Sequence, residues 1–554
     1  MKKQGKAERY SKLESNLSIM SGRKFKPTDE QQAVLDWMLH GTGNAVIDAK
    51  AGSGKSTLIE HCIRELLSKN RDEKIIYFAF NKNIVEEMTA RFSKEYPNLK
   101  ITTCHSFGLS LINENLKEKI KKPNDYKYIS YLENNVELYA SDDFFLMDKN
   151  HQKRYLANIK KLLDYSRYNK DQKPSEIKKT AEKYNLQLES NEAEVVAKLL
   201  RWGSELTDNI DFTDMIWLPC ENTLSTRKVY NFVFVDEAQD LSPVEQELVL
   251  KCIDLRRGRL ITVGDRDQAI NAWCGADRDA FSNYKKRRNT REFTLSVCQR
   301  CSKSVIEAAK KLVPEISPRP DAPEGSVNFN VDIRAPKDGD MVVCRYVLPL
   351  ITYYSILMKE GKNAYIIGRA GIDRILDEIN LPQSDCVDKN MESNGIIPSL
   401  YIHLFDMIDN EVSEYNITQE DALKMSKSIM DEYDIIKTIE VLSSSDMTRS
   451  ELIEKINGIF KYESEGGIKL STIHKAKGDE ADNVFILCPS LLNGLMITEE
   501  WEQVQEKNLE YVMITRARET LNYMAEDEFK HNSSLSNFSK INNELNEIRK
   551  KLLK

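Results

Sequence analysis

The stretch "NAVIDAKAGSGKST", residues 44–57, decides the fold. Its opening "NAVIDA" is a short apolar run of the kind that forms a buried strand. At 49–57, "AKAGSGKST" then turns the chain into a helix, and that context makes a phosphate-loop match credible. Gly52 and Gly54 let the backbone amides of Ala51, Ser53 and their neighbours approach phosphate oxygens. Lys55 supplies a point charge for the β and γ phosphates, and the helix N-terminus adds its dipole at Ser56 and Thr57. The Ser56 hydroxyl is placed to ligate magnesium. Ala49 stands where the strict pattern has Gly. The bland alternative is a Gly-rich turn with an incidental lysine, and the flanking strand and helix argue against it.

A phosphate loop alone says only "nucleotide". The second half of such a site is "FVFVDEAQD" at 232–240, an apolar strand that delivers two adjacent carboxylates at its C-terminal end, where α/β sheets place ligands. Asp236 is expected to hold Mg2+ through its water shell, and Glu237 to accept a proton from the attacking water. Acidic pairs at strand ends also occur as solvated caps. It is the upstream phosphate loop that gives this pair its meaning.

Other apolar runs repeat the strand pattern: "KIIYFAF" at 74–80, "RLITVGD" at 259–265, "MVVCR" at 341–345, "AYIIGR" at 364–369, "IKLSTIH" at 468–474 and "NVFILC" at 483–488. Short apolar strands alternating with helical segments indicate parallel sheets covered on both faces. Two α/β cores follow, each interrupted. Residues 113–225 carry few strand signals, and 371–464 hold two capping boxes, Thr418 to Asp421 and Thr448 to Glu451, so both segments are expected to be mostly helical. The Pro-rich "PEISPRPDAPEGS" at 314–326 is expected as an exposed linker. Phe538, Ile541, Leu545, Ile548 and Leu552 recur at helical spacing, predicting an amphipathic C-terminal helix docked on its own protein.

Lysine and arginine number 80 against 87 acidic residues, a net charge of −7. Phosphate binding relies on Lys and Arg, so this balance argues against tight, structure-independent nucleic-acid binding. A local basic channel stays open, because net charge describes solubility and not one groove. No stretch approaches the roughly 20 apolar residues of a membrane span, and "MKKQGKAERYSKLESN" lacks the apolar middle of a secretory signal. The expectation is a cytoplasmic protein, or one of the nucleoid or nucleus, with no membrane partner. Ten irregularly spaced cysteines fit reduced thiols. Cys298 and Cys301 form the only CxxC, without the second pair that a zinc site wants.

Further segments stand in order along the chain: "PTDEQQAVLDW" at 27–37, "FAFNKNIVEEMTARF" at 78–92, "TTCHSFG" at 102–108, "IDFTDMIWLP" at 210–219, "VGDRDQAINAWCGA" at 263–276, "LSVCQRCS" at 295–302, "IKLSTIHKAKGDEADNVFIL" at 468–487 and "EYVMITRARE" at 510–519. With the phosphate loop and the Asp-Glu pair, they resemble the UvrD/Rep/PcrA helicases of superfamily one, within them the subgroup that includes the F-box DNA helicases. The resemblance covers both α/β cores but not the insertions. It implies that Gln31 reads the adenine edge, that Glu480 reaches the ribose, and that Gln268 relays the γ-phosphate to the DNA side. Arg300 and Arg516 are the implied arginine fingers, suited by their planar guanidinium groups to charge spread over phosphoryl oxygens. Asn81, Thr103, His105 and Ser106, with Thr472 and His474, are implied to lie near DNA phosphate. Phe80 or Phe107 is implied to stack on a base, with core packing of Phe78 and Phe80 as the alternative, and Trp273 is implied as the base-stacking aromatic. Asn271 stands where many relatives have a Tyr that packs on the adenine.

The fold class so implied is α/β, with two RecA-like P-loop NTPase cores, each interrupted by a mostly helical insertion. Residues 1–112 and 226–298 form the first core around the 113–225 insertion; 299–370 and 465–530 form the second around the 371–464 insertion, and 531–554 hold the terminal helix. ATP and Mg2+ are the implied cofactors. Single-stranded DNA and single/double-strand junctions are the implied partners, with single-strand-binding, repair or replication proteins beyond them. The implied activity is an ATP-dependent DNA helicase moving 3′ to 5′. Two alternatives stay open: a DNA-stimulated translocase that strips proteins from DNA, and an NTP-controlled recognition subunit of a defence or replication complex. Phosphate contacts do not distinguish DNA from RNA.

Overall fold

The computed structural model describes residues 26–552 except 93–95, 97, 117, 136–144, 146–148, 185, 187, 189–190, 207, 227, 271–276, 278, 368, 381, 383, 385, 389–394, 445, 460–465, 493–499 and 527–537. The chain divides into two compact units: one combines the residues up to Leu146 with Tyr155–Val297, the other Met147–Arg154 with Cys298–Lys554.

The first unit is built on six strands, β1 (Asn44–Ala49), β2 (Ile75–Phe78), β3 (Leu99–Thr102), β4 (Phe232–Val235), β5 (Arg259–Gly264) and β6 (Thr290–Leu295). They pair in the order β3-β2-β4-β5-β1-β6, every pair parallel. Strands β2 and β4 are buried at every residue, and β1 and β5 at all but their first, as expected of parallel strands with both faces covered. Leu58, Ile59, Ile63 and Leu67 of the helix Lys55–Lys69 pack in one cluster with Ile47, Tyr77, Phe234 and Ile261 of the strands. The topology matters for the site. Since β5 lies between β1 and β4, the loops after all three strands emerge side by side at the carboxyl edge, neighbours being about 4.8 Å apart.

Between β3 and β4 run the helices Cys104–Asn115, Lys127–Asn134, Lys149–Asn169, Pro174–Lys183, Glu192–Glu205 and Asp214–Glu221. A buried ionic cluster ties three of them, Lys127–Asn134, Lys149–Asn169 and Asp214–Glu221: Arg167 Nη1 donates to Asp211 (2.8 Å) and Asp214 (2.6 Å), and Lys127 Nζ meets Asp214 at 2.8 Å.

The second unit has its own six-stranded sheet, with β7 (Ser326–Val331), β8 (Met341–Cys344), β9 (Ala364–Ile367), β10 (Ile468–Thr472), β11 (Ala481–Ile486) and β12 (Ala517–Met524). Its order is β9-β10-β8-β11-β12-β7, again parallel throughout. The helices Ile396–Tyr415, Gln419–Met425, Lys427–Leu442 and Arg449–Ile459 share one apolar cluster with this sheet. The capping box at Thr448 forms in full, Thr448 N donating to Glu451 (2.8 Å) and Thr448 Oγ1 accepting from Glu451 N (3.4 Å), whereas Thr418 makes only the N-cap half, its Oγ1 accepting from Asp421 N (3.2 Å). The helix Phe538–Leu552 buries Ile541, Leu545 and Ile548 in the same cluster.

The structure differs from expectation in two places. Residues 314–326 do not join units but lie within the second, where Lys303 N donates to Pro323 O and Ser304 N to Glu324 O, both at 2.9 Å. And β3, β6, β7 and β12 go beyond the apolar runs: three are sheet edges, half-exposed and polar in sequence, and β12 lies beside one of them.

Candidate functional site

After β1 the chain makes a tight turn in which Ser53 N donates to Lys50 O (3.0 Å) and Gly54, at φ +82°, becomes the N-cap of the helix Lys55–Lys69. A side chain at Gly54 would be strained at that φ and would press on Gln31 Nε2 at 3.0 Å. Gln31 itself is buried: its Oε1 accepts from Thr28 N (3.0 Å) in a capping box, and its Nε2 donates to Ser53 O (2.9 Å). The glutamine of the first motif therefore holds the back of the loop. The Ser53 hydroxyl is buried without a hydrogen-bond partner in the protein, and the first amides of the helix lack intrahelical acceptors. Donors without acceptors at a helix N-terminus fit a phosphate.

Facing the loop are the groups after β4 and β5. Lys55 Nζ contacts Glu237 Oε1 at 3.0 Å. Burial alone would depress the Lys55 ammonium, but Glu237, Asp265 and Asp236 outweigh it and hold its pKa above the ordinary value. Asp236 accepts from the Tyr77 hydroxyl (2.5 Å) and from Glu237 N (3.0 Å); burial and the neighbouring Glu237 charge push its carboxyl up to about 6. Asp265 is likewise raised to about 6 by burial. Glu237 sits at φ +49°, a left-handed conformation uncommon outside glycine, which is a mark of functional sites. Gln239 bridges the two loops, its Nε2 donating to Glu237 and its Oε1 accepting from Asp265 N at 3.1 Å. It fits only because residue 264 is Gly, where a Cβ would lie 2.0 Å from Gln239 Oε1. Gln268 donates to Asp265 at 2.7 Å.

Three carboxylates thus surround one ammonium, an excess of negative charge relieved by a proton or a cation. Among the described residues no three such groups form a ready metal cage. Magnesium is commonly held by one or two carboxylates together with substrate phosphates, and Asp236 with Ser56 suits that mode.

Strands β2 and β3 end at the same edge, which brings "FN" of 80–81 and "TCHS" of 103–106 alongside. Phe80 is 44% exposed and Asn81 caps the next helix through Ile84 N (3.0 Å). Thr103 is the N-cap of Cys104–Asn115 and accepts from Ser106 N at 3.2 Å. Phe107 does not reach this surface: it is buried and packs edge-on against Phe78, ring centroids 5.3 Å apart, so as an alternative base contact it is corrected to a core residue. Phe78 is core as well. His105 stacks on Phe212 at 4.1 Å, with its Nε2 unpartnered, and burial lowers its pKa to about 4, leaving a neutral ring at pH 7. Trp273 lies outside the described residues.

In the second unit, Arg516 is buried and donates to Val512 O (2.8 Å), Asp479 O (3.1 Å) and Thr515 Oγ1 (3.2 Å). Arg300 pairs with Glu480 and donates to Thr515 O at 3.3 Å. Glu480 also accepts from Arg518 (2.7 Å); burial alone would raise its pKa, but Arg300 and Arg518 hold it below the usual carboxylate range. Thr472 is the N-cap of the short helix Ile473–Ala476, which carries a half-buried His474.

The family description "UvrD/REP helicase N-terminal domain" matches residues 28–289, and "UvrD-like helicase C-terminal domain" matches 467–523, together more than half of the chain. The chain belongs to the UvrD/Rep helicase family. It is 22% identical over 353 residues to a probable DNA helicase II homolog of Mycoplasma pneumoniae, covering 59% of this chain and 46% of that protein. To the ATP-dependent DNA helicase Rep of Buchnera aphidicola it is 29% identical, covering 49% and 41%. To F-box DNA helicase 1 of Gallus gallus it is 23% identical, covering 90% and 49%. The chain spans about half the length of these relatives. No helix among the described residues is long and apolar enough to cross a membrane.

Within this UvrD/Rep chain, Lys55, Asp236, Glu237 and Gln268 converge at one edge of the first sheet, and Arg300, Glu480 and Arg516 converge in the second unit. Residue-type reasoning missed Gln239, Asp265, Arg518 and Phe212. The signal for Phe212 lay in "DFTD": Asp211 and Asp214 are buried while the aromatic between them is 51% exposed.

Proposed function

We propose that this chain is an ATP-driven DNA motor with two RecA-like cores, translocating 3′ to 5′ on single-stranded DNA and separating strands at single/double-strand junctions. The observation that carries this reading is the Lys55–Glu237–Asp236 cluster at the carboxyl edge of a parallel sheet, in a chain of a helicase family. When bound, Mg2+ supplies charge neutralisation to the phosphates, held by Asp236 and Ser56. Lys55 binds the β and γ phosphates, Glu237 takes the proton of the attacking water, Gln268 senses the γ-phosphate, and Arg300 and Arg516 stabilise charge on the transferred phosphoryl. Gln31 and Glu480 contact base and ribose. Phe80, Asn81, Thr103, His105 and Ser106, with Phe212 beside them, carry the strand in the first unit, and Thr472 and His474 in the second. Exposed aromatic rings beside small hydroxyl donors suit stacking and phosphate contact.

The test is the ATPase rate without nucleic acid and with single-stranded DNA, duplex DNA or RNA, followed by unwinding of 3′- and 5′-tailed duplexes. Stimulation by single-stranded DNA and preference for the 3′ tail support the reading. Stimulation without unwinding favours the protein-stripping translocase, and wild-type turnover in Lys55→Ala refutes the phosphate site.

A further inference from the structure

Lys50 is the second residue of the phosphate loop, where the backbone pattern asks nothing of the side chain. It is nevertheless fully buried, its Nζ 3.2 Å from Asp48 and 2.7 Å from Asp267. Burying an ammonium is costly and persists only with paired, well-placed carboxylates. Its backbone is fixed too: Lys50 N donates to Leu295 O at 2.9 Å, and Lys50 O accepts from Ser53 N at 3.0 Å, closing the loop's turn. Asp267 belongs to the short turn Arg266–Gln268 after β5, and its N donates to Asp265 Oδ1 at 3.2 Å while Gln268 Nε2 binds Asp265 Oδ2 at 2.7 Å. From Asp265 the contacts run through Gln239 to Glu237 and return to the loop at Lys55. The circuit is closed, and the Lys50–Asp267 pair is a direct side-chain link between phosphate loop and Gln268 turn, beside the pair of Arg266 Nε with Asp48 (3.1 Å) at the end of β1.

We propose that Lys50 is a positioning residue for hydrolysis: through Asp267 it ties the Gln268 turn to the phosphate loop, so that the loop's response to nucleotide is transmitted to Gln268. The proposal rests on the phosphate-site reading above. Coupling carried by packed ionic and hydrogen-bonded networks requires a physical link that both sites share, and this pair is such a link within one unit.

The experiment uses the full chain and the variants Asp267→Asn, Lys50→Met and Lys50→Arg, with Lys55→Ala run alongside. Asp267 is 29% exposed at its side chain and Lys50 keeps Asp48 in Asp267→Asn, so this variant stays informative where Lys50→Met fails to fold. Asp267→Asn is expected to keep the wild-type KM for ATP and melting curve while kcat and its stimulation by single-stranded DNA fall roughly 3- to 30-fold. Lys50→Arg, which preserves the charge, restores most of kcat. If Asp267→Asn keeps wild-type kcat and stimulation while Lys55→Ala is dead, the role of Lys50 is overturned and the phosphate site stands. Loss of stability with KM and kcat unaltered also overturns it, since that is a purely structural pair. Should Lys55→Ala itself turn over normally, the phosphate-site reading fails instead.

Discussion

Replacing Glu237 by Gln alters one atom and one charge. As the proton acceptor, Glu237 contributes about 10²- to 10⁴-fold in rate, the scale of general-base catalysis, or about 3 to 5 kcal/mol of barrier. The ground state changes as well. One carboxylate oxygen faces Lys55 Nζ at 3.0 Å and the other faces Gln239 Nε2, so a Gln amide must turn its NH2 group toward a donor in either orientation. Gln239 cannot turn over in compensation without losing the bond from Asp265 N. One poorly satisfied buried donor costs about 1 to 3 kcal/mol of stability. Against that, removing a negative charge about 5 Å from a phosphate at an effective dielectric near 20 favours nucleotide by up to about 3 kcal/mol. Glu237→Gln should therefore melt slightly earlier, bind ATP as tightly as wild type or tighter, and hydrolyse it at least about 100-fold more slowly. Single-turnover hydrolysis with titration of a fluorescent ATP analogue measures both quantities. A turnover close to wild type, or a collapse of ATP affinity, would refute the assignment; the second result would exchange the base and metal roles of Glu237 and Asp236.

Phe212→Ala should weaken single-stranded DNA binding by about 1 to 3 kcal/mol, the value of one base stack, with an unchanged melting temperature; equal affinity in fluorescence-anisotropy titration removes Phe212 from the track. Arg167→Met strands Asp211 and Asp214 without their guanidinium and should cost about 3 to 5 kcal/mol in denaturant unfolding; a loss near zero would show the cluster to be dispensable. His105, lowered to about 4 by burial, binds fewer protons folded than unfolded between that value and its ordinary 6.5. Its contribution to stability is thus present above pH 6.5 and lost as pH falls toward 4. His105→Phe should flatten the pH dependence of unfolding in that window, and an unaltered slope would show a solvent-accessible ring. Asp236 and Asp265, raised to about 6 by burial, act in the opposite sense, adding stability as pH falls from 6 toward the ordinary carboxylate range.

Local chemistry made much of this protein legible from its sequence. Strands buried on both faces are unbroken apolar runs, so β1, β2, β4 and β5 stand out, and the tight loop after β1 needs its glycines where the backbone turns left-handed. Capping boxes and the terminal helix follow the same logic, because their partners lie three or four residues away. The polar edge strands β6 and β7 escaped, since "TREFTL" and "SVNFNV" keep polar residues on faces that the sheet leaves open, whereas the apolar edge strand β9 did not. What only the tertiary structure decided depends on which distant segments meet. Insertion of β5 between β1 and β4 puts the turn that carries Asp265 and Gln268 beside the loops that carry Lys55 and Asp236. The fold also buries Lys50 against Asp267, 217 residues away, and leaves Phe212 exposed on His105. No periodicity carries such pairings, because they are set by strand order and packing across the chain, where residues far apart in sequence become nearest neighbours.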